Sequence, residues 1–128
     1  MKINDPASFA EVTEAFARYE TALVGNDVDV LDELFLAAPT TIRYGGGENL
    51  YGIEAIRTFR AARSPAGLAR RLAQTHITTY GDDCAVAATL FYRDSAPGTV
   101  DRQMQTWVRA PAGWKVAAAH VSVIVEEC

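Results

Sequence analysis

Apolar residues recur at steps of three and four in separate segments of the first half of the chain, which is the spacing of a buried helix face. The clearest stripe follows Asp5 and Pro6, a capping residue and a proline suited to the first turn, and stops at Gly25. Its members are Phe9, Val12, Phe16, Tyr19 and Leu23. The pattern predicts a long first helix, a shorter one between residues 27 and 39, and a third between residues 52 and 64.

The rest of the chain favours strands. Two short segments rich in β-branched and aromatic residues, 40–44 and 50–51, flank a glycine-rich turn. Four long runs follow, at residues 68–80, 84–93, 99–109 and 114–125. Short turns join antiparallel neighbours, and helices followed by a strand meander indicate the α+β class. We expect a single domain over residues 1–128, in which three helices pack on the concave side of a curved antiparallel sheet and enclose one pocket.

The last strand indicates how the two faces of the sheet are used. Alternation places one set of side chains on the first face: Trp114, Val116, Ala118, His120 and Ser122. The opposite face then carries Lys115, Ala117, Ala119, Val121 and Val123. Helices cover only one face, so a second apolar face indicates a partner surface. We therefore expect a homodimer that packs sheet on sheet through this outer face.

Composition and charge narrow the classes of partner. The formal net charge is −4 at pH 7 and no basic run is present, which argues against nucleic-acid binding. No apolar stretch reaches the roughly 20 residues of a membrane span, and residues 1–6 lack the apolar segment of a signal peptide. We expect a cytoplasmic protein with no nucleic-acid or membrane partner. Cys84 and Cys128 are expected to be free thiols.

The familiar catalytic and cofactor motifs do not occur in the sequence. The glycines at 45–47 lack the Lys-Ser/Thr of a phosphate-binding loop and the spacing of a dinucleotide fingerprint, so they are interpreted as a turn. His76 and His120 are too few and too isolated for a metal site. His120 and Ser122 lie two apart on a strand, so they point in parallel rather than pairing as base and nucleophile. We expect no metal and no cofactor.

A small polar set remains at positions that the pattern predicts to be inward. Tyr19 lies on the first helix stripe, where a core tyrosine is the alternative interpretation. Arg43 lies in the first short strand, where an exposed arginine is the alternative. Gln103 and Gln105 alternate along the third long strand, and either one could instead face water. His120 lies among alanines and valines, where a core histidine is the alternative.

These residues lie in segments that resemble the AtzH-like family, the oxalurate and cyanuric-acid catabolism group within the SnoaL-like branch of the nuclear-transport-factor-like fold. The segments are 19–27, 43–56, 102–109 and 113–122. The 43–56 block and the Gln-rich strand are the most specific, whereas the closing Trp, His and Ser pattern is common to many SnoaL-like proteins. The resemblance covers nearly the whole chain and implies a cone-shaped fold with the pocket inside. Met104 departs from the small polar residue usual in the family.

The resemblance also implies a role in nitrogen catabolism beside amidases that dismantle carboxylated ureas, with 1,3-dicarboxyurea converted to allophanate. A helix-one tyrosine and a first-strand arginine are thought essential in the family, and they match Tyr19 and Arg43 here. An arginine can hold a carboxylate through two parallel hydrogen bonds, and a tyrosine can donate a proton. The remaining predicted contacts to this small anionic substrate are Arg70, Gln103, Gln105 and His120.

Two other functional classes stay open. The first is a non-catalytic, ligand-binding accessory subunit of a neighbouring amidase, because one fold can host enzymes and binding proteins alike. The second is a proton shuttle of the ketosteroid-isomerase kind, which needs a carboxylate base in an apolar pocket. The sequence predicts no aspartate at the inward centre of a strand, which disfavours the second class.

Overall fold

The computed structural model describes residues 1–126, so Cys128 lies outside the described residues, whereas Cys84 is a free thiol as predicted. The helices within this range are α1 (Pro6–Val24), α2 (Val28–Leu34) and α3 (Ile53–Ala62). The strands are β1 (Ile42–Tyr44), β2 (Asn49–Tyr51), β3 (Arg71–Tyr80), β4 (Cys84–Tyr92), β5 (Thr99–Ala110) and β6 (Gly113–Val125). The order of these elements follows the sequence-based prediction.

The first helix buries the face that its spacing predicts, except at Phe9 near its start, which is 38% exposed. The Asp5 side chain caps it by accepting a hydrogen bond from the backbone N–H of Ser8 at 3.2 Å. Val12, Phe16 and Tyr19 are each at most 5% exposed. They pack toward the concave side of the sheet, so the start of α1 and its buried stripe are both determined by local sequence.

The core lies between the helices and the concave face of the sheet, around the fully buried Trp107, Phe35 and Leu31. Arg60 of α3 is also buried, and its Nη1 donates a hydrogen bond to Asp32 Oδ1 of α2 at 2.7 Å. Its guanidinium group stacks 4.5 Å from the centroid of the Phe35 ring. The ion pair between Arg60 and Asp32 links α3 to α2. Each helix within residues 1–126 is too short or too polar to serve as a membrane span.

Six strands of the described chain form one curved, unclosed sheet in the order β2-β1-β6-β5-β4-β3. Strands β3 to β6 pair antiparallel, as their short turns predict. Strand β1 pairs parallel with β6, which brings the first strand beside the last. The α+β class, with three helices on the concave side of a curved sheet, is confirmed for residues 1–126.

A β-bulge in the β5–β6 pair decides which residues of β6 face inward. Trp107 pairs with Val116, but its neighbour Thr106 pairs with Ala118, so Ala117 is left without a cross-strand partner. One extra residue in a strand reverses the alternation of all side chains beyond it. Even-numbered residues of β6 therefore face the core before the bulge, and odd-numbered residues face it after the bulge.

The bulge overturns the predicted faces in the second half of β6. Ala119, Val121 and Val123 lie on the concave side, and the last two line a cavity there. His120 is exposed on the outer face, beside Met104. The predictions that His120 faces the pocket and that the two valines face a partner are wrong. Residues 117–119 are all alanine, so the sequence does not indicate that one of them is the extra residue of a bulge.

The outer face of the sheet carries no helix of the described chain. Its apolar side chains are partly or largely exposed: Val86, Ala88, Leu90, Met104, Val108 and Ala118. They are interleaved with four polar side chains: Arg102, Thr106, His120 and Ser122. We propose that two copies of the chain pair through this face, because an exposed apolar patch is characteristic of an interaction surface. Met104 takes the place that the sequence pattern had assigned to Val121.

Met104→Asp should convert the proposed dimer to a monomer, because it replaces an apolar contact of the proposed interface by a carboxylate that must lose its water on association. Met104 is 56% exposed in the single chain, so the substitution should leave the fold of the monomer intact. Sedimentation velocity measures the oligomeric state. The control is Val24→Asp, 41% exposed at the end of α1, which should remain dimeric. A Met104→Asp protein that still sediments as a dimer rules out this interface.

Candidate ligand-binding site

A cavity of about 190 Å³ opens between α1, the segment after α3 and the concave face of the sheet. Its apolar wall consists of Leu23, Leu68, Phe91, Val121 and Val123. Its polar wall consists of Tyr19, Arg43, Arg63, Arg70, Arg93, Asp101 and Gln103. Sites for drug-sized ligands measure roughly 300–1,000 Å³, so this cavity suits a smaller molecule. Four arginines in so small a space indicate a negatively charged one.

Tyr19 reaches the cavity from the buried face of α1 and is 4% exposed. Its ring packs edge-on against Trp107, with centroids 6.4 Å apart, and lies 6.2 Å from the ring of Phe35. Aromatic contacts on two sides fix the direction of the side chain. The hydroxyl is therefore the polar group that Tyr19 presents to the cavity.

Arg43 reaches the cavity from β1 and is oriented by the turn that follows it. Its Nη1 donates a hydrogen bond to Glu48 Oε1 at 2.7 Å, and its guanidinium group lies 5.4 Å from the centroid of the Phe59 ring. The missing side chain at residue 45 leaves room for the Glu48 carboxylate at its present position. A Cβ on Gly45 would lie 1.8 Å from Glu48 Oε1.

Arg70 is 4% exposed at its side chain and is already committed to protein partners. Its Nε donates to Glu20 Oε2 at 2.8 Å, and its Nη2 donates to the second oxygen of the same carboxylate. The Nη2 also donates to Gln103 Oε1 at 3.2 Å. The guanidinium plane lies 4.2 Å from the centroid of the Phe91 ring. Arg70 thus forms a rigid part of the wall and orients Gln103.

Arg93 pairs with Asp101, and the shortest distance between their charged atoms is 3.4 Å. Asp101 is 3% exposed and points inward from β5. The prediction concerned the centre of a strand, whereas Asp101 points inward near the start of β5. Because Arg93 compensates its charge, Asp101 differs from the isolated carboxylate base that a proton shuttle needs.

Arg63 follows α3 and is the arginine of the cavity for which residues 1–126 provide no carboxylate partner. Its Nε and Nη2 are shielded from solvent and make no hydrogen bond within these residues. Burial, and then the nearby positive charge of Arg43, lowers the pKa of Arg63. Arginine nevertheless stays protonated in proteins. A shielded positive charge without a counter-charge costs stability, and an external anion would remove that cost.

Within residues 1–126, some polar side-chain atoms of the cavity residues are shielded from water and have no hydrogen-bond partner. All of these atoms are donors. They are Nε and Nη2 of Arg63, Nε of Arg93 and Nε2 of Gln103. The orientation of Gln103 follows from chemistry, because its oxygen must be the atom that accepts from Arg70. Buried donors normally find acceptors. The arrangement therefore favours a ligand that is anionic and rich in oxygen acceptors.

The structure brings four of the six predicted site residues together at the cavity: Tyr19, Arg43, Arg70 and Gln103. Gln105 is buried but does not line the cavity, and its Oε1 accepts a hydrogen bond from Trp107 Nε1 at 3.1 Å. It therefore orients Trp107, which in turn packs on Tyr19. His120 lies on the outer face with its ring edge-on to Tyr44 at 5.7 Å, which separates it from the other five.

Sequence reasoning missed the carboxylates that neutralise the cavity and two of its arginines. Asp101 did carry a signal, because alternation along β5 places it on the same face as Gln103. Arg63 carried one as well, because Ile53, Ile56, Arg60 and Arg63 recur at steps of three and four, which is the spacing of one helix face. The first three of these are buried, and Arg63 follows them directly after the end of α3. Within residues 1–126, no three His, Cys, Asp or Glu side chains are placed to hold a metal ion together.

A family model described as AtzH-like matches residues 1–127. The chain belongs to the AtzH-like family. A solved structure from Pectobacterium atrosepticum, of a protein with unknown function from the DUF3225 family, is 59% identical to this AtzH-like chain. The two superpose with a TM-score of 0.93 over 95% of this chain and 94% of that chain. A cystatin-like fold protein from Burkholderia xenovorans is 46% identical, with a TM-score of 0.94 over 99% of both chains.

More distant structures confirm the fold that the resemblance implied. A nuclear transport factor 2-like superfamily protein from Salmonella enterica is 24% identical to the AtzH-like chain, with a TM-score of 0.75 over 95% of this chain and 94% of that chain. At that identity the likeness shows the fold alone. No curated protein sequence matched the chain. The fold is therefore the α+β cone of the nuclear-transport-factor-like and cystatin-like proteins.

Gly45→Ala should destabilise this AtzH-like protein by breaking the pair between Arg43 and Glu48. The new methyl group displaces the Glu48 carboxylate from its present position, and the loss in the free energy of unfolding is at most the roughly 1.5–3 kcal/mol of a charged hydrogen bond, because the flexible Glu48 side chain can shift. Chemical denaturation measures that free energy. Gly46→Ala is the control and should be neutral, because no atom lies within 4 Å of its added Cβ. Equal stabilities of the two variants would show that the pair contributes nothing.

Proposed function

We propose that the protein is an enzyme that removes a carboxylate from small carboxylated ureas, converting 1,3-dicarboxyurea to allophanate. One observation carries the proposal. Among the described residues that line the cavity, every shielded polar side-chain atom without a hydrogen-bond partner is a donor. A carboxylated urea offers carbonyl and carboxylate oxygens in a compact, negatively charged molecule. Membership of the AtzH-like family supports the same substrate class.

In the proposed step one carbamate C–N bond breaks. Tyr19 donates its proton to the nitrogen that carries the departing carboxylate, the electron pair of the C–N bond passes to that nitrogen, and the carboxylate leaves as CO₂. The organic product is allophanate, and the tyrosine oxygen regains a proton from water. General acid catalysis of this kind contributes roughly 10²- to 10⁴-fold in rate.

The two carboxylates of the substrate need different surroundings. The departing one loses its charge on the way to CO₂, so a guanidinium group that held it would stabilise the substrate more than the transition state. The apolar wall around Val121 and Val123 is the better place for it. Arg43 suits the carboxylate that is retained, because its planar fork fixes orientation as well as charge.

The other polar residues of the wall act as supports in this proposal. Gln103 Nε2 is the donor for the urea carbonyl, because Arg70 occupies its oxygen and directs its amide group. Arg70 is itself engaged by Glu20. Allophanate retains amide C–N bonds, so an amide-hydrolysing enzyme is the class of reaction that would consume it, which fits a functional link to an amidase.

The alternative is an accessory subunit of an amidase that binds the acid without turning it over. The same cavity serves either role, because anion binding needs the arginines but not a proton donor. Turnover separates the two: an enzyme releases bicarbonate and allophanate from 1,3-dicarboxyurea by itself, and an accessory subunit releases neither. A proton shuttle is disfavoured because the inward carboxylate, Asp101, is paired with Arg93.

Tyr19→Phe should lose turnover by roughly 10²-fold or more while it still binds the substrate, because only the proton donor is removed. The measurement is single-turnover release of labelled bicarbonate from ¹³C-labelled 1,3-dicarboxyurea, followed by NMR and accompanied by a thermal melt. The ring contacts with Trp107 and Phe35 are kept, so the melt should be unchanged. Wild-type turnover in this variant would remove Tyr19 from the mechanism.

Arg43→Lys should weaken the binding of glutarate, a stable dicarboxylate with the same three-atom spacer as 1,3-dicarboxyurea. Lysine keeps the charge but cannot reproduce the bidentate geometry. The readout is the rise in melting temperature with glutarate concentration, which follows mass action on the folded state. The same rise in wild type, Arg43→Lys and Arg43→Ala would show that Arg43 does not hold the ligand.

A further inference from the structure

The four arginines of the cavity are not equivalent. Arg43, Arg70 and Arg93 each donate to a carboxylate of the protein, namely those of Glu48, Glu20 and Asp101 in that order. Four guanidinium groups and three carboxylates leave one positive charge without compensation among residues 1–126. Arg63 is the residue that carries it, with two shielded and unpartnered donor atoms.

Arg63 and Arg43 line the same cavity. The positive charge of Arg43 is the second cause, after burial, of the lowered pKa of Arg63. Two like charges held together repel, and a carboxylate between them removes the repulsion and satisfies the free donors at once. The Nη1 of Arg43 already donates to Glu48, so Arg43 can hold the carboxylate only through its remaining donors, and a second guanidinium group adds further ones.

We propose that Arg63 is a substrate-binding residue, which together with Arg43 closes on the carboxylate that the substrate retains. The inference rests on the proposed function and adds the residue that provides the net positive charge of its site. Arg63 stays at the end of the substrate that does not react. It therefore contributes to binding equally in the ground state and in the transition state, and its loss should raise KM and leave kcat nearly unchanged.

The same geometry sets Arg63 apart from a residue that only supports the fold. Its Nε and Nη2 make no hydrogen bond within residues 1–126, so replacing the side chain breaks no internal bond through those atoms. Removing a shielded, uncompensated charge should preserve or raise the melting temperature of the ligand-free protein. A structural arginine would behave in the opposite way and lower it.

The test compares wild type with Arg63→Met, using glutarate in isothermal titration calorimetry and 1,3-dicarboxyurea in turnover. We expect glutarate to bind Arg63→Met at least about tenfold more weakly, as loss of a charged hydrogen bond implies. KM should rise by a similar factor at nearly constant kcat. Arg57→Met is the control, because Arg57 lies on α3, which Arg63 follows, does not line the cavity and pairs with Glu54 at 3.1 Å. It should bind glutarate like the wild type.

Wild-type glutarate affinity in a folded Arg63→Met protein would overturn the proposal, as would a fall in kcat at constant KM. Should the methionine variant fail to fold, Arg63 is structural and the proposal is wrong, unless Arg63→Lys folds and shows intermediate affinity. The outcome for the proposed reaction is separate. A wild-type protein that binds glutarate through Arg63 but releases no bicarbonate refutes the reaction and keeps the assignment of Arg63.

Discussion

Mutual repulsion among four guanidinium groups in one small cavity is the constraint on which the rest of the site depends. Charges in a half-buried space interact strongly because little water screens them. Three carboxylates reduce the repulsion, and each comes from a different part of the fold: Glu20 from α1, Glu48 from the turn after β1, and Asp101 from β5. Helix, hairpin and sheet must all be docked before the cavity exists.

The compensation within the described chain is incomplete, and that incompleteness has a functional meaning. Shielded donors without acceptors cost stability, and proteins retain few of them. Here several such donors converge on one cavity, where a ligand of the opposite charge would satisfy them together. Local departures from an otherwise consistent structure are expected at functional sites rather than elsewhere. The hydrogen bonds that these donors do not form on folding can form when a ligand binds.

The β-bulge gives a single strand two uses. Before the bulge, β6 packs Trp114 and Val116 into the core beneath the helices. Beyond it, Val121 lines the cavity while His120 lies on the outer face. Without the extra residue, the valine would face outward and the histidine would enter the arginine-rich cavity. A one-residue change of register thus separates the chemistry of the cavity from the surface proposed for dimerisation.

The sequence by itself determined the elements, their order, the α+β class and the inward positions of Tyr19 and Arg43. Caps, turns and hydrophobic period act over a few residues, so they can be recognised along the chain. The tertiary structure alone decided the bulge in β6 and the partners of the arginines. These depend on which distant segments meet, as when Arg70 pairs with a residue 50 positions away in the sequence. Local pattern sets the direction of a side chain within an element, but only the packed fold sets the charges around it.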